Sequence, residues 1–526
     1  MDEHKQFLAH GKHAAQQEQT MTLWQGLRLY PKAVAWSVLL SSTLIMEGYD
    51  LALLGTLFAS PAFNQKYGVQ SGDDWNIPAS WQSGLSNGAR VGEVIGLILS
   101  GLVSERLGYR WTMISALLAM NAIIFIFFFA VDVRMLLSAE ILAGIPWGVF
   151  QTLPAAYAAE VCPVVLRPYL TTYINMCWVM GQFIAAGVNR ASFAREDQWS
   201  YRIPFAVQWA WPLPLAVGIF FAPESPWWHV RRGDISSAKH ALQRLTLTSS
   251  SDEPFDPDAT VAMIAHTNEL EKSLTAGTSY TDCFRHAGGN LRRTEIVCGV
   301  WIVQTLCGQN LMGYFAYFCV QAGLPEVQSF NLSLAQYALG IIGTIGSWFL
   351  MAKLGRRSIH LLGLCCLFTL LLITASLSFA PESNTAAKWC IGAMLILFTF
   401  IYDTTLGPVT YALVSELSST RLRSKTINLA RAGYNISNIA VNVLTNYQLN
   451  DDGETGWDRG ARTAYFWAGT CVVSLVWAFW RVPEPRGRTF AELDVLFERG
   501  VEARAFKGFV VDPFDGEIAG REGGKG

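Results

Sequence analysis

Charge is what this sequence has least of. Only 15% of its 526 residues are charged while 51% are hydrophobic, and the mean hydropathy is +0.27. A soluble chain of this length does not tolerate so apolar a balance, which leaves a bilayer as the solvent. The formal net charge of -2 supplies no basic field, which excludes a nucleic acid as the organising partner. Cysteine is sparse too. The ten are scattered singly apart from the Cys365-Cys366 pair and form no CxxC or Cys/His spacing, so they read as packing residues and no metal or other cofactor is expected. HExxH and Walker patterns are missing and His229, His286 and His360 stand alone, so an enzyme is not expected. Residues 1–32 are polar and hold no apolar h-region; no cleavable signal peptide is expected, and the first membrane helix is left to direct insertion.

What the chain has in quantity is long apolar runs. A hydrocarbon core of roughly 30 Å takes about 20 apolar residues in a helix. About twelve such runs are legible, near 34–59, 82–103, 111–131, 135–158, 169–190, 203–222, 296–320, 331–352, 359–380, 389–414, 426–447 and 463–481. They are too long and too apolar for the core of a soluble domain, and no alternating ten-residue segments suggest a barrel. The expected fold is an all-α integral membrane protein of twelve transmembrane helices in two six-helix bundles. The division is 1–32 as an N-terminal tail, 33–222 as the first bundle, 223–293 as a central loop, 294–482 as the second bundle and 483–526 as a C-terminal tail. The central loop is polar and includes Ser249-Ser250-Ser251 and an acidic stretch from Asp252 to Asp258.

The halves share landmarks in the same order, the trace of an internal repeat. Glu105-Arg106-Leu107-Gly108-Tyr109-Arg110 follows the second run and Lys353-Leu354-Gly355-Arg356-Arg357 the eighth. Glu160 precedes Arg167 by seven residues after the fourth run, and Glu416 precedes Arg423 by seven after the tenth. The sixth run ends in Pro223-Glu224-Ser225-Pro226 and the twelfth in Pro483-Glu484-Pro485. Arg106, Arg110, Arg167, Arg231, Arg232, Arg292, Arg293, Arg356, Arg357, Arg421, Arg423 and Lys425 all fall on one side, which the positive-inside rule makes cytoplasmic. Both termini and the central loop are then expected in the cytosol, the plasma membrane being the expected location.

These landmarks resemble the sugar porters of the major facilitator superfamily, and more closely the fungal α-glucoside (maltose) permeases. The likeness rests on Glu47-Gly48-Tyr49-Asp50, Gly144-Ile145-Pro146-Trp147-Gly148, Leu170-Thr171-Thr172-Tyr173-Ile174-Asn175, Pro204 through Pro212, Pro223-Glu224-Ser225-Pro226-Trp227-Trp228, Arg421 through Thr426 and Gly487-Arg488-Thr489-Phe490-Ala491-Glu492-Leu493. It spans roughly residues 20–510. The resemblance implies a proton symporter for α-linked glucosides, with sugar, protons and the lipid bilayer as its partners and no obligate protein partner. Transport of a monosaccharide or another metabolite on the same fold, or sugar sensing without transport, are the alternatives. The short C-terminal tail speaks against a sensor.

Ionisable residues inside membrane runs cost about 2.5–3.5 kcal/mol each on insertion scales and are functional by default. Glu47 and Asp50 lie in the first run, Arg90 and Glu93 in the second, Glu140 in the fourth, Asp403 in the tenth and Arg431 in the eleventh. Three residues apart, Glu47 and Asp50 share a helix face, an arrangement suited to a group that binds and releases a proton each cycle, or else a pair of structural charges. The resemblance puts Glu47, Asp50, Glu93 and Arg431 in the charged transport set. It departs at Glu140, where other sugar porters place an arginine, so the cation facing the first-run carboxylates is Arg431 or Arg90, with Arg431 preferred. For the sugar, the resemblance points to Asn175, Gln182, Gln304, Gln309, Asn310, Tyr314, Tyr411, Tyr434 and Asn435, amides and rings suited to hydroxyls and C–H faces. The seventh run reads Gln304-Thr305 where the family has two glutamines. Glu105, Arg106, Arg110, Glu160, Arg167, Glu224, Arg356, Arg357, Glu416 and Arg423, at helix ends on the basic face, are expected to form a gate of ion pairs that breaks as the cavity opens inward.

Overall fold

A computed structural model describes residues 2–57, 61–71, 74–192, 195, 197–247, 255–274, 279–315, 326–381, 384–449 and 462–509. The Ser249-Ser250-Ser251 run, the first part of the acidic stretch, the end of the seventh run past 315 and the tail past 509 lie outside the described residues. The described chain is helical but for one short antiparallel hairpin, β1 (Val69–Ser71) with β2 (Asp74–Asn76), in which Gln70 faces Trp75.

Before the first crossing come α1 (Asp2–Thr20) and α2 (Leu23–Leu29). Crossing one is α3 (Pro31–Ser41) and α4 (Thr43–Leu57), and α5 (Pro61–Tyr67) follows it. Then come α6 (Ala79–Phe128), α7 (Val133–Val161), α8 (Arg167–Ser192), α9 (Trp199–Val207) and α10 (Pro212–Phe220). The central segment, read from the sequence as a loop, is itself partly helical, with α11 (Pro226–Arg231), α12 (Ile235–Leu245) and α13 (Pro257–Leu274). The second half holds α14 (Asn290–Leu306), α15 (Glu326–Lys353), α16 (Arg356–Leu377), α17 (Thr385–Thr404), α18 (Leu406–Leu417), α19 (Arg423–Leu449) and α20 (Thr463–Arg481), followed by α21 (Phe490–Glu498).

Among the described residues eight stretches are long and apolar enough to cross a membrane. The longest, Ser80–Phe128, has 49 residues, about 73 Å of helix. That is more than twice a bilayer core, and it is two crossings joined at Gly108, whose φ of +84° turns the chain. With α8, α14 and α19, which are too polar or too short to pass on hydropathy, the crossings number twelve. These three helices carry much of the polar machinery described below.

Two expected runs are broken. The seventh is interrupted after Leu306, where Gly308 adopts φ +91° and a 3₁₀ turn spans Gln309–Tyr314. The tenth divides at Thr405, between α17 and α18, three residues before Pro408, whose ring cannot continue the hydrogen-bond ladder. Within the first half α6 packs on α7 and α4 on α8; within the second α15 packs on α17, α16 on α20 and α14 on α19. Between the halves α6 meets α19 and α8 meets α15. At the basic end α1 lies along α13, and α21 also touches α13.

Without a hydrophobic force between helices in lipid, close approach depends on small residues. At the α6–α7 crossing a Cβ on Gly144 would fall 2.7 Å from the Glu93 backbone nitrogen, and Gly92 stands opposite. Gly144→Val should therefore part α6 from α7, an overpacking that typically costs 1–3 kcal/mol. The monodisperse peak in fluorescence size-exclusion chromatography is expected to shrink, and an undiminished peak with native thermal stability would contradict this packing.

Candidate functional site

Between the halves lies a cavity of about 330 Å³, at the small end of the roughly 300–1,000 Å³ of small-molecule sites. The first half lines it with Asp50 of α4, Ser86, Asn87 and Arg90 of α6, Glu140 of α7, and Trp178 and Gln182 of α8. The second half adds Gln309 and Asn310 from the 3₁₀ turn, Gln336 and Tyr337 of α15, Thr399, Tyr402 and Asp403 of α17, and Tyr434, Asn438 and Asn442 of α19. Spacing explains the choice. Residues 434, 438 and 442 recur every four positions and 178 and 182 are four apart, so each set makes one helix face.

Beside the cavity the charges are arranged through amides. Gln151 of α7 donates to Glu47 Oε1 at 2.8 Å, and its own oxygen accepts from Arg431 Nε at 2.9 Å and from Asn435 at 3.3 Å. One side chain thus ties a carboxylate of the first half to the guanidinium of the second. Arg431 also lies over the rings of Trp301 and Tyr434, at 4.4 and 4.2 Å from their centroids, where a cation gains from the ring quadrupole. The expected meeting of Arg431 with Asp50 is not found. Asp50 instead accepts from Gln208 at 2.5 Å, because neighbours three residues apart on a helix still diverge by about 60°. Arg90 bonds Glu93 one turn away at 2.9 Å. The second oxygens of Glu47 and Asp50 and both oxygens of Glu140 are buried without a hydrogen-bond partner.

The other residues singled out from the sequence separate into two groups. Gln182, Gln309, Asn310 and Tyr434 line the cavity, with Gln309 accepting from Tyr402 at 3.0 Å. Asn175, Gln304, Tyr411 and Asn435 do not line it. Asn175 donates to Asp403 at 3.1 Å and to Thr344 at 3.2 Å. Gln304 donates at 3.3 Å to the carbonyls of Leu406 and Gly407 in the broken tenth crossing, so it supports backbone. Tyr411 packs edge-on against Trp301. The Tyr314 side chain lies outside the described residues. Asn87, Trp178, Gln336, Asn438 and Asn442 were missed, although an amide or indole at membrane depth was signal enough. The Trp178 indole nitrogen is buried without a partner.

At the basic end the interface is closed. Glu160, fully buried, accepts from Tyr109 at 3.0 Å, from Ser225, from Arg231 at 3.0 Å and from Arg423 at 3.3 Å. Arg423 belongs to the second half, and removing one partner from such a buried set costs about 3–5 kcal/mol. Lys425 pairs with Glu105 across the same interface, and Ser104 meets Ser424 at 3.0 Å. Phe490 of α21 lies between two guanidinium groups, Arg167 at 3.9 Å and Arg423 at 4.0 Å. Arg167 also reaches Glu18 of α1 at 3.7 Å. Not every expected gate residue joins the interface. Glu224 caps the second part of α6, accepting from the Tyr109 and Arg110 amides at 3.0 and 3.1 Å, and Glu484 does the same for α16 at Arg356 and Arg357. Carboxylates suit helix N-termini. Arg356 pairs with Glu416 at 3.2 Å inside the second half, Arg110 lies over Trp111 and Phe220, Arg357 bonds the Phe479 carbonyl at 2.8 Å, and Arg106 is exposed.

Asn87 and Ser104 are 17 residues apart on α6, about 25 Å of helix, so the cavity sits toward the face opposite the closed end. An amide-rich, partly aromatic chamber of this size, sealed at one end and flanked by buried carboxylates, offers paired donors and acceptors and ring faces that suit a small polyhydroxylated molecule.

The match to known proteins agrees with this geometry. Residues 36–497 match the family model described as "Sugar (and other) transporter". A maltose permease of Saccharomyces cerevisiae is 43% identical over 507 residues, which cover 96% of this chain and 82% of that protein. A general alpha-glucoside permease of the same organism is 41% identical over 505 residues, 95% of this chain and 81% of that one. Among solved structures, a proton:xylose symporter bound to 6-bromo-6-deoxy-D-glucose superposes with a TM-score of 0.76 at 19% identity, covering 89% of this chain and 99% of that one. The score is lower, 0.63, against the inward open conformation of the xylose transporter from E. coli, again at 19% identity and with 88% and 99% covered.

Gln151 is the residue whose loss tests the charged layer. Gln151→Leu leaves Glu47 and Arg431 each without a bonded amide, at about 1.5–3 kcal/mol for a hydrogen bond to a charged group. The melting temperature of the purified protein should fall. An unchanged melting temperature would mean that the bridge carries no weight.

Proposed function

The chain belongs to the sugar (and other) transporter family, and from that premise we propose that it takes up an α-linked glucoside such as maltose together with a proton, by exposing the cavity to each side of the membrane in turn. The observation that carries the proposal is the cavity itself, in which Gln182, Asn310, Gln336 and Trp178 stand within the same chamber as Asp50 and Glu140. Amides offer paired donors and acceptors to sugar hydroxyls, and rings stack on the C–H faces. The identity to permeases whose names give maltose and alpha-glucosides supports the substrate class.

Coupling follows from the carboxylates. A charged carboxylate in a dry interior without a cation beside it is costly, and a proton taken from the side to which the cavity opens removes that cost. In this scheme Glu47, Asp50 and Glu140 take part in proton exchange. Arg431, held to Glu47 through Gln151, links their charge state to the second half, and Glu93 holds Arg90 in place. Release of the proton restores the attraction and with it the pull between halves. One proton entering with the sugar contributes about 2.3 kcal/mol per 100 mV, enough for accumulation of several tens of fold.

Gating is assigned to the closed basic end. Breaking Arg423–Glu160 and Lys425–Glu105 is required before the halves can separate there, and Arg167 with Phe490 reinforces the closed state. The remaining expected gate residues have supporting roles: Glu224 fixes the turn at Gly108, and Arg356, Arg357, Glu416, Arg106 and Arg110 shape the basic ends of the helices. We place the protein in the plasma membrane with both termini in the cytosol, a reading supported by the basic residues of the face that carries α1, α13 and α21.

Uptake of labelled maltose into cells lacking other permeases tests the reading. Accumulation should disappear when a protonophore collapses the gradient, and accumulation that survives would refute coupling. Gln182→Ala should raise the apparent KM by about five- to 150-fold, equivalent to roughly 1–3 kcal/mol, with normal protein at the cell surface. Arg431→Ala and Glu47→Gln should each lose accumulation while keeping sugar exchange, and the double variant should be no worse than the worse single. Strictly additive losses would show that the two act independently.

A further inference from the structure

A second pocket, of about 290 Å³, opens on the basic face beside the gate and has no part in the sugar path described above. Its walls come from three parts of the chain. Glu105 belongs to α6 in the first half, and Arg231 and Arg232 follow the sixth crossing; Lys272 lies on α13 of the central segment; Arg421 and Lys425 precede and begin α19 in the second half. Five cationic side chains thus converge on one opening, against Glu105 in the wall and Glu160, which pairs with Arg231. Asn268, 4% exposed, also lines the pocket and has its amide oxygen without a hydrogen-bond partner.

We propose that this pocket binds a phosphate-bearing anion, and that its occupancy holds the gate shut so that a phosphorylated compound on the basic face slows transport. Guanidinium forks and an ammonium are the groups that recognise phosphate, with charge-assisted bonds about twice as strong as neutral ones. The volume admits a chain of two or three phosphate groups. Trp228, with Arg232 lying 4.6 Å over its ring and its indole nitrogen bonded to the Glu105 carbonyl at 3.1 Å, makes a rigid wall on one side.

The link to transport comes from where the walls originate. Arg231 donates to the Thr420 carbonyl at 3.2 Å, so the two sides of the pocket touch only while the basic end is closed. When the halves part, Arg421 and Lys425 leave with the second half and Arg231 and Arg232 stay with the first, and a bound anion loses about half of its partners. A ligand shifts an equilibrium by its difference in affinity for the two states, and this one favours the closed gate. External sugar meets a cavity on the other side of the gate, so the anion should lower the maximal rate without competing for the sugar. Binding of the anion stands independently of the transport reading, whereas the effect on rate rests on it.

The phosphate could arrive on a soluble compound or on a lipid headgroup, and the experiment separates the two. Purified protein in nanodiscs of phosphatidylcholine is titrated with inorganic tripolyphosphate by calorimetry, and a second set of nanodiscs carries a phosphoinositide that is scored by native mass spectrometry. Saturable binding of tripolyphosphate identifies a soluble ligand, and retention of the phosphoinositide alone identifies a lipid; either supports the site. Binding should weaken by about tenfold or more in the Lys272→Gln/Arg421→Gln double variant and as salt rises from low to physiological concentration. The same variant should transport at the normal rate without anion. In proteoliposomes with tripolyphosphate, or with the phosphoinositide, supplied at the basic face, the wild-type maximal rate should fall at constant KM while the variant's does not. No binding in either nanodisc, or equal binding by the double variant, would overturn the site. Binding without any change in rate would overturn its coupling to the gate. If the protein proved to transport no sugar, calorimetry and mass spectrometry would still decide the site.

Discussion

A bilayer core offers no water to a buried polar group, so each one at membrane depth has to be answered from within the protein. That constraint organises the interface between the halves. Arg431 could not remain there alone, and it is answered by Gln151, by two aromatic faces and, through Gln151, by Glu47. Asp50 is answered by Gln208, Arg90 by Glu93, and Asp403 by Asn175. The carboxylate oxygens left over, on Glu47, Asp50 and Glu140, are buried without a hydrogen-bond partner.

The same constraint makes the two ends of the interface different. At the basic end Glu160 receives cations from both sides and is satisfied, which seals the halves together. At the other end amides and rings face an open chamber. A transporter needs this asymmetry to be reversible. Ion pairs at a water-accessible margin can separate and hydrate, as a dry hydrophobic seam could not.

The legible part of the site is the part carried by helix periodicity and by charge in apolar runs. Glu47, Asp50, Glu140 and Arg431 stood out because each breaks an apolar run. Gln151 and Gln208 were not legible. A glutamine within an apolar run looks the same whether it bonds a neighbouring helix, bridges two charges or meets a sugar, and only the neighbours in space separate these cases. Gln304, expected at the sugar from its match to family positions, donates in the structure to the carbonyls of Leu406 and Gly407 beside Pro408. Glu224 looked like a gate charge from its position after the sixth crossing, and in the structure it caps the second part of α6 in its own half, as Glu484 caps α16.

The sequence by itself determined the solvent, the number of crossings, the repeat and the side on which the positive charge lies, because these depend on composition, run length and order along the chain. Gly108 and Pro408 were visible as punctuation, although the break in the tenth crossing that Pro408 accompanies falls at Thr405. Tertiary structure alone decided who answers whom. Arg431 met Glu47 through an amide and left Asp50 to Gln208, since two side chains three residues apart point about 60° away from each other and a second helix must stand opposite each. It also decided which end was closed, because the Glu160 cluster draws its donors from residues 51 to 263 positions away along the chain, a separation that no local pattern encodes.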